Sequence, residues 1–360
     1  MGAYIRVGAT SRPALPDKIL ELEMEGARIS WDELTCLDYK FNEESIEQLC
    51  QDIMSYRQKA ELSSTPVTKN QLINWKVLKE DAEQIFSSNA FALMTSDHFQ
   101  FSKTQCAVFK GTTRNVFLDK RTFEGPLYKQ IEETIHFVLR NIRLGATVEG
   151  LLRKESYELP VEAIREMIVN AHCHRNYLDE ACIQVALFDD RLEVTSPGGL
   201  YNGLTYEEMM TGHSKTRNRA IAKVFNQMGI IEAWGTGIQR ILSTSERYDL
   251  PTPEIIVTDN SFRVTLYRQF DDDEINDDYV EESFEDIKGK EEIYYNKQYK
   301  AILEYMKDNV EYSSSELKDV IGVKDRRIRT VLKELLVLGA IESKGSTKNR
   351  RYKKKIAATT

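Results

Sequence analysis

Between Pro160 and Tyr177 the chain reads PVEAIREMIVNAHCHRNY, with Glu166 and Asn170 four residues apart. At about 100° per residue, Val161, Ile164, Met167, Ile168 and Ala171 share one side of a helix, and Glu166 and Asn170 fall together on the other. A carboxylate and an amide thus stand one turn apart, facing away from the helix's own core. A solvated polar face would show the same spacing, so the pair gains meaning only from its neighbours downstream in the chain. His172, Cys173 and His174 invite a zinc reading, but adjacent helical positions point about 100° apart and do not readily share one metal.

Downstream, Ile183, Val185 and Leu187 alternate, Asp189-Asp190 marks a turn, and RLEVTS forms the second arm of a hairpin pattern. That strand runs into Ser196-Pro197-Gly198-Gly199, where two glycines permit close approach of backbone to a ligand or simply make a turn. A polar stretch from Thr205 to Asn218 reads as a mobile lid. A helix from Ala220 to Met228 comes next. Gly235-Thr236-Gly237 then precedes an apolar helix whose first N–H groups could receive an anion. IIV and FRVTLYR complete the stretch as two more strands.

The elements that must position these residues are set by organisation along the chain. The 360 residues, 41% apolar and 29% charged, suit two or three soluble domains. No run approaches the roughly 20 apolar residues of a membrane span, and the start lacks an apolar signal core, so a cytoplasmic protein with no membrane partner is expected. Five scattered cysteines without a C-x-x-C pair point to reduced thiols. The net charge of −8 hides an asymmetry: residues 271–292 hold twelve carboxylates against two lysines, and residues 324–355 hold twelve Lys/Arg against three acids. The acidic stretch cannot offset the entropy of its own ordering and reads as a linker.

Before the linker, helices are expected over Glu44 to Tyr56 and Lys69 to Gln84. Strands are expected in ALMT, QCAVFKG and NVFL, and a long amphipathic helix from Leu127 to Ile142. The opening AYIRVG alternates like a strand and reads as the tail of a domain whose front is missing. The divisions expected are 1–90, a remnant strand and helical region; 91–270, an α/β body with core motifs at 160–268; 271–292, the linker; and 293–360, a C-terminal module. The fold class is α+β, a mixed sheet with helices on one face.

EAIREMIVNAHCHRNY, LEVTSPGGLYNG, HSKTRNRAIAKVF, IIEAWGTGIQRI and FRVTLYR resemble the ATP-binding domain of gyrase B, heat-shock chaperones, histidine kinases and MutL. They are more closely similar to the variant in bacterial RecG-like regulators with an AlbA/Schlafen-type N-terminal domain. NAFALM, CAVFKG and FEGPLYKQIEETI extend the likeness weakly, and YIRVGATSRPA resembles the closing strand of the AlbA/Schlafen-like domain. The resemblance implies ATP and Mg²⁺, with Asn170 as metal ligand and Glu166 orienting or deprotonating a water. It further implies Gly198 and Gly199 lining the adenine pocket, Gly235, Thr236 and Gly237 closing on phosphates, and Thr265 near the adenine edge. His174, Arg175 and Arg217 would brace phosphates or lid. Ser196 stands where the family pattern has Asp, which would weaken adenine binding about tenfold. No Walker A lysine motif is present, so the chain is not a helicase motor, and at most a weak ATPase.

Residues 294–355 read as a helix from Lys297 to Asn309, a short helix capped by Ser314 or Ser315, a basic helix and a two-strand ribbon, the winged helix arrangement. Its core stripe would be Ile328, Val331, Leu332 and Leu335. Lys324, Arg326, Arg327, Arg329 and Lys333 on the helix and Lys348, Arg350 and Arg351 on the wing would contact double-stranded DNA. A cytoplasmic bacterial transcriptional regulator is expected, its nucleotide occupancy changing homo-oligomerisation or placement of the reader. An ATP-hydrolysing enzyme acting on DNA and a DNA-binding scaffold with a decayed pocket are the alternatives. By charge, the acidic linker is expected to compete for the same basic surface when no DNA is present, so deletion of residues 271–286 should tighten duplex binding measured by fluorescence anisotropy; unchanged affinity would refute the competition.

Overall fold

Alternation in strands and the 3.6-residue period in helices of the first unit give apolar sides that meet in one continuous core running from Ile46 to Leu266. The computed structural model describes residues 4–7, 10–14, 16–62, 65–82, 84–149, 152–231, 236–268, 297–307, 310–322, 328–329, 331–332, 335–336, 340–344 and 350–355. The chain divides into two units, residues 1–270 and 271–360. The acidic stretch at 271–292 lies outside the described residues.

The first unit begins with β1 (Tyr4–Val7) and β2 (Thr10–Pro13), an antiparallel pair. Next come α1 (Pro16–Gly26), a 3-10 turn (Trp31–Glu33), α2 (Glu43–Lys59), α3 (Lys69–Asn74), the hairpin β3 (Leu78–Asp81) and β4 (Gln84–Ser87), and α4 (Asn89–Thr95). Two expectations fail here. The second helix stops at Asn74, because Lys76 turns into the left-handed region at φ 63° and starts the hairpin. ALMT is helical, started by Ser88, whose Oγ accepts from Phe91 N. Every residue from Asn89 to Met94 is buried, so no polar face betrays the period.

The remaining elements are β5 (Thr104–Phe109), β6 (Phe117–Phe123), α5 (Leu127–Asn141), β7 (Leu144–Glu149), β8 (Leu152–Tyr157), α6 (Val161–His174), β9 (Ile183–Leu187) and β10 (Arg191–Pro197). They continue with α7 (Tyr206–Met210), α8 (Arg219–Gln227), α9 (Gly237–Arg247), β11 (Glu254–Val257) and β12 (Ser261–Tyr267). Six strands form a mixed sheet in the order β11-β12-β10-β9-β5-β6, parallel only between β5 and β9. Helix α5 packs on β5 and β9, α6 packs on β10, and α6 lies between α5 and α9. An α+β body with a mixed sheet is what the sequence patterns require.

The 3-10 turn is tied into this body by Asp32, which is completely buried and accepts from Ile221 N in the first turn of α8 at 2.8 Å. In the second unit, α10 (Lys297–Tyr305), β13 (Glu311–Ser313), α11 (Ser314–Ile321), β14 (Ile341–Lys344) and β15 (Arg351–Lys354) surround Ile302, Leu317, Ile328, Val331, Leu332 and Leu335. The sheet order is β13-β15-β14, antiparallel throughout. The cap of α11 is Ser313, one residue earlier than expected, in a reciprocal box with Glu316, and Gly322 ends the helix at φ 61°.

Burial pushes the Asp32 carboxyl up to about 6 from its ordinary 3.8. The folded chain therefore holds this proton more tightly than the unfolded one, and stability falls as pH rises from about 4 to 6. Asp32→Asn keeps an acceptor for Ile221 N and removes that slope, so the variant's stability relative to wild type should grow by up to about 3 kcal/mol between pH 4 and pH 7. Urea midpoints at the two pH values measure it, and parallel pH profiles would refute the assignment.

Candidate functional site

Helix α6 buries Ala163, Ile164, Met167 and Ile168 and leaves Glu166 and Asn170 half-buried on the side that meets α9. Asn170 Nδ2 donates to Glu166 Oε1 at 3.0 Å, which leaves the amide oxygen free of that bond. Gly237, the first residue of α9, lies so close that a Cβ there would run into Glu166 Oε1 and approach Asn170 Nδ2 at 2.9 Å. Arg240, one turn on, brings Nη1 to 3.8 Å from Glu166 Oε2. The structure thus brings together Glu166, Asn170 and Gly237, while Thr236, exposed, precedes α9 without a side-chain cap bond. Gly235 lies outside the described residues.

Ser196, Gly198 and Arg217 collect at the other end of α6. The last carbonyls of a helix have no partner within it. Here Ser196 Oγ donates to Ala171 O at 2.8 Å, Tyr177 Oη to His172 O at 3.1 Å, and Arg217 Nη1 to His174 O at 3.1 Å. Asn218 Nδ2 donates to Cys173 O at 3.0 Å and to Arg175 O at 2.8 Å. Five successive carbonyls are satisfied by four side chains from outside the helix. Ser196 therefore spends its proton on the helix, and Arg217 and Asn218, expected in a mobile lid, are buried.

Gly198 holds φ 96°, in the left-handed region, and a Cβ there would collide with Arg217 Nη1. Arg217 Nη2 also donates to Gly199 O at 3.1 Å, and the guanidinium sits 5.2 Å from the Tyr201 ring. The two glycines are strapped to the β11–β12 turn by Gly198 N to Asn260 O at 2.8 Å and Gly199 N to Asp259 O at 3.3 Å. Burial, with the Arg217 charge beside it, pushes His174 down to about 4, so it is neutral at pH 7.

Thr265 is not beside this constellation. In the register of β10 and β12, Ser196 opposes Phe262 and Val194 opposes Val264, whereas Thr265 opposes Glu193. Successive side chains alternate faces, so Thr265 lies on the face of the sheet away from Ser196 and α6. Arg175 is buried, donates to the carbonyls of Asp179 and Ala181 at 3.1 and 2.8 Å, and lies over the rings of Phe101 and Tyr177. His172 is core, with Nδ1 2.8 Å from Ile168 O and Nε2 2.9 Å from Thr104 Oγ1. Among the described residues no group of three or more His, Cys, Asp or Glu could hold a metal.

A hard cation needs oxygens from one or two residues plus phosphates and water, and the Asn170 amide oxygen and Glu166 carboxylate are a fitting donor set for Mg²⁺. Space beside the glycine turn is filled by Arg217 in this conformation. In the second unit Arg329, Arg350 and Arg351 are exposed, Arg351 pairing with Glu316 at 3.2 Å. Lys324, Arg326, Arg327, Lys333 and Lys348 lie outside the described residues. Sequence reasoning missed Arg240, Asn218 as a cap, and Glu21, whose contact with Arg217 spans nearly two hundred residues; only the i, i+3 pairing of Lys18 with Glu21 hinted that this carboxylate is positioned.

Residues 180–266 match a family model described as "Putative ATP-dependent DNA helicase recG C-terminal". An ATPase-like domain is therefore supported over β9 to β12, and α6 with Glu166 and Asn170 precedes the matched segment. Among solved structures the chain is similar to the DIP2311 protein from Corynebacterium diphtheriae, at 17% identity and a TM-score of 0.55, over 98% of this chain and 70% of that one. That likeness is one of fold. No curated protein matches. No helix among the described residues is long and apolar enough to cross a membrane.

The packing at the glycines separates two substitutions. At Gly199 a Cβ would meet the backbone oxygen of Thr258, which cannot swing aside; at Gly237 it meets the far end of Glu166, which can. Gly199→Ala should lower the thermal midpoint markedly, by about 1–3 kcal/mol of stability, and Gly237→Ala by clearly less. Equal losses in a calorimetric scan would refute the packing described.

Proposed function

We propose that the chain is a DNA-binding transcriptional regulator whose ATPase-like domain works as a nucleotide-dependent switch. The observation that carries the nucleotide half is the meeting of Glu166 and Asn170 with Gly237 at the start of α9, an eleven-residue helix whose first N–H groups favour an anion. A bound magnesium ion would supply charge neutralisation of the triphosphate. Asn170 would ligate it through its amide oxygen, and Glu166 would orient a water or accept its proton. Neutral His174, donor-poor and half-buried, would leave the positive charge to Arg217 and Arg240.

The DNA half is supported by the element order of the second unit, in which a capped α11, helical residues at 328–329, 331–332 and 335–336, and the antiparallel ribbon β14–β15 succeed one another. Exposed Arg329, Arg350 and Arg351 supply part of the positive charge that a recognition helix and wing would bring to phosphates. Nucleotide occupancy would then change oligomerisation or the placement of this reader. A second reading, a DNA-binding scaffold with a decayed pocket, is favoured by two facts: Ser196 is committed to Ala171 O, and Arg217 fills the glycine turn.

Calorimetry with ATP and Mg²⁺ distinguishes the two. Wild type should bind, and Asn170→Ala should lose at least about tenfold in affinity, the order of one charge-assisted contact. Phosphate release abolished by Glu166→Ala with binding retained would make the domain an enzyme, and no heat from wild type would refute the switch. For DNA, neutralising about five phosphates predicts log K falling with log salt at a slope near −4.5, which anisotropy on a duplex measures; a flat response would refute DNA contact.

A further inference from the structure

The loop entering α8 is gripped by the segment from α1 through the 3-10 turn. Glu21 Oε1 lies 3.3 Å from Arg217 Nη2, both side chains being nine-tenths buried. Arg219 Nη2 donates to Arg28 O and, at 2.8 Å, to Glu33 Oε2, and Asp32 Oδ2 receives Ile221 N. Glu21 divides its oxygens between two cations, since Lys18 Nζ is 2.7 Å from Oε2. The guanidinium it holds lies against Gly198, where even a methyl group could not be accommodated, and Arg217 Nε is buried without a hydrogen-bond partner. The space opened by two glycines next to α6 is thus occupied by a cation belonging to the loop, and that cation is neutralised from α1.

We infer that Glu21 is a latch: its carboxylate takes the place of an anionic ligand on Arg217 and keeps the 214–218 loop closed over the glycine turn until a nucleotide phosphate displaces it. The identity of the displacing ligand rests on the nucleotide reading, whereas the latch itself does not. A buried carboxylate–guanidinium pair gains little net energy because each partner has lost its water, so exchange of the carboxylate for a phosphate is close to balanced. Nothing new need be desolvated on Arg217, and the phosphate carries more charge. The coupling is reciprocal: nucleotide on Arg217 loosens α1, and anything that draws α1 away favours nucleotide. Glu25, on the same face of α1, has its carboxyl raised by burial and by the neighbouring Glu21 charge, and it acts on Arg217 through its charge without an ion pair within 4 Å among the described residues. Removing it takes away a charge that Arg217 feels and leaves the Glu21 contact in place.

The test uses the full chain as wild type, Glu21→Gln, Glu21→Asp and Glu25→Gln, all of which leave the Arg217 donors to His174 O and Gly199 O in place. Amide hydrogen exchange over 214–221 without nucleotide should run about tenfold faster in Glu21→Gln, less so in Glu21→Asp, which keeps the charge on a shorter side chain, and within about twofold of wild type in Glu25→Gln. ATP with Mg²⁺ should bind Glu21→Gln about five- to tenfold more tightly than wild type. Wild-type protection in Glu21→Gln overturns the latch, and so does exchange in Glu25→Gln as fast as in Glu21→Gln. Faster exchange with unchanged or weaker ATP binding overturns the competition with phosphate. If neither wild type nor Glu21→Gln binds ATP, the nucleotide reading fails and the exchange result alone decides the latch.

Discussion

The carboxyl end of α6 carries five carbonyls that the helix cannot satisfy, four of them buried and that of His174 partly so. Leaving a buried carbonyl without a donor costs about 1–3 kcal/mol, so the fold has to deliver donors to this one place. It does so from β10 through Ser196, from the loop before α8 through Arg217 and Asn218, and from Tyr177 just beyond the helix. Positive charge at a helix carboxyl terminus is also favoured by the helix dipole. The requirement ties α6, the glycine turn and the loop into α8 together, whatever ligand the domain takes. It also explains how a serine is accommodated at position 196: its hydroxyl completes a structural bond, where a carboxylate would face the carbonyl oxygen of Ala171 and be repelled.

The same helix is constrained from its other side. Gly237 allows α9 to approach until its backbone touches Glu166 and Asn170, and Arg240 adds a cation to that carboxylate. Neighbouring turns of one helix thus acquire different chemistry: oxygen donors near the N-terminus of α9 at Glu166 and Asn170, and a guanidinium wedged in a glycine turn at His174. The loop carrying Arg217 stands beside the second of these groupings. Among its described residues, helix α1 adds none to the core that α2, α3 and α4 share with α5 and α6, and it meets the loop through the Glu21–Arg217 pair.

Much of this was visible before any coordinates. The spacing of Glu166 and Asn170, the glycines after β10 and the glycine before α9 stand out because side-chain type and a fixed helical period are local properties. So do the stripes of α5 and of Ile328, Val331, Leu332 and Leu335, since one-sided burial needs one-sided apolarity. The errors are equally physical. ALMT lacks a polar face because α4 is buried all round, and the segment after Asn74 reverses on a left-handed lysine that periodicity does not mark. The face on which Thr265 stands is not legible in the sequence, because a strand offers alternate residues to opposite faces and only the pairing register says which.

Helix and strand periods, the acidic and basic segments and the types of residue available for chemistry were all present in the order of the amino acids, because each depends on neighbours within a turn or two. Which of those residues meet was decided by tertiary structure. Arg217 reads as a loop cation that would brace phosphates or lid, and its place is set only when Glu21 comes from α1, Gly198 leaves it room and His174 offers a carbonyl. Contacts of that kind form between positions far apart in the chain, with no period or motif to announce them, and they arise from the packing of whole elements and not from any one stretch.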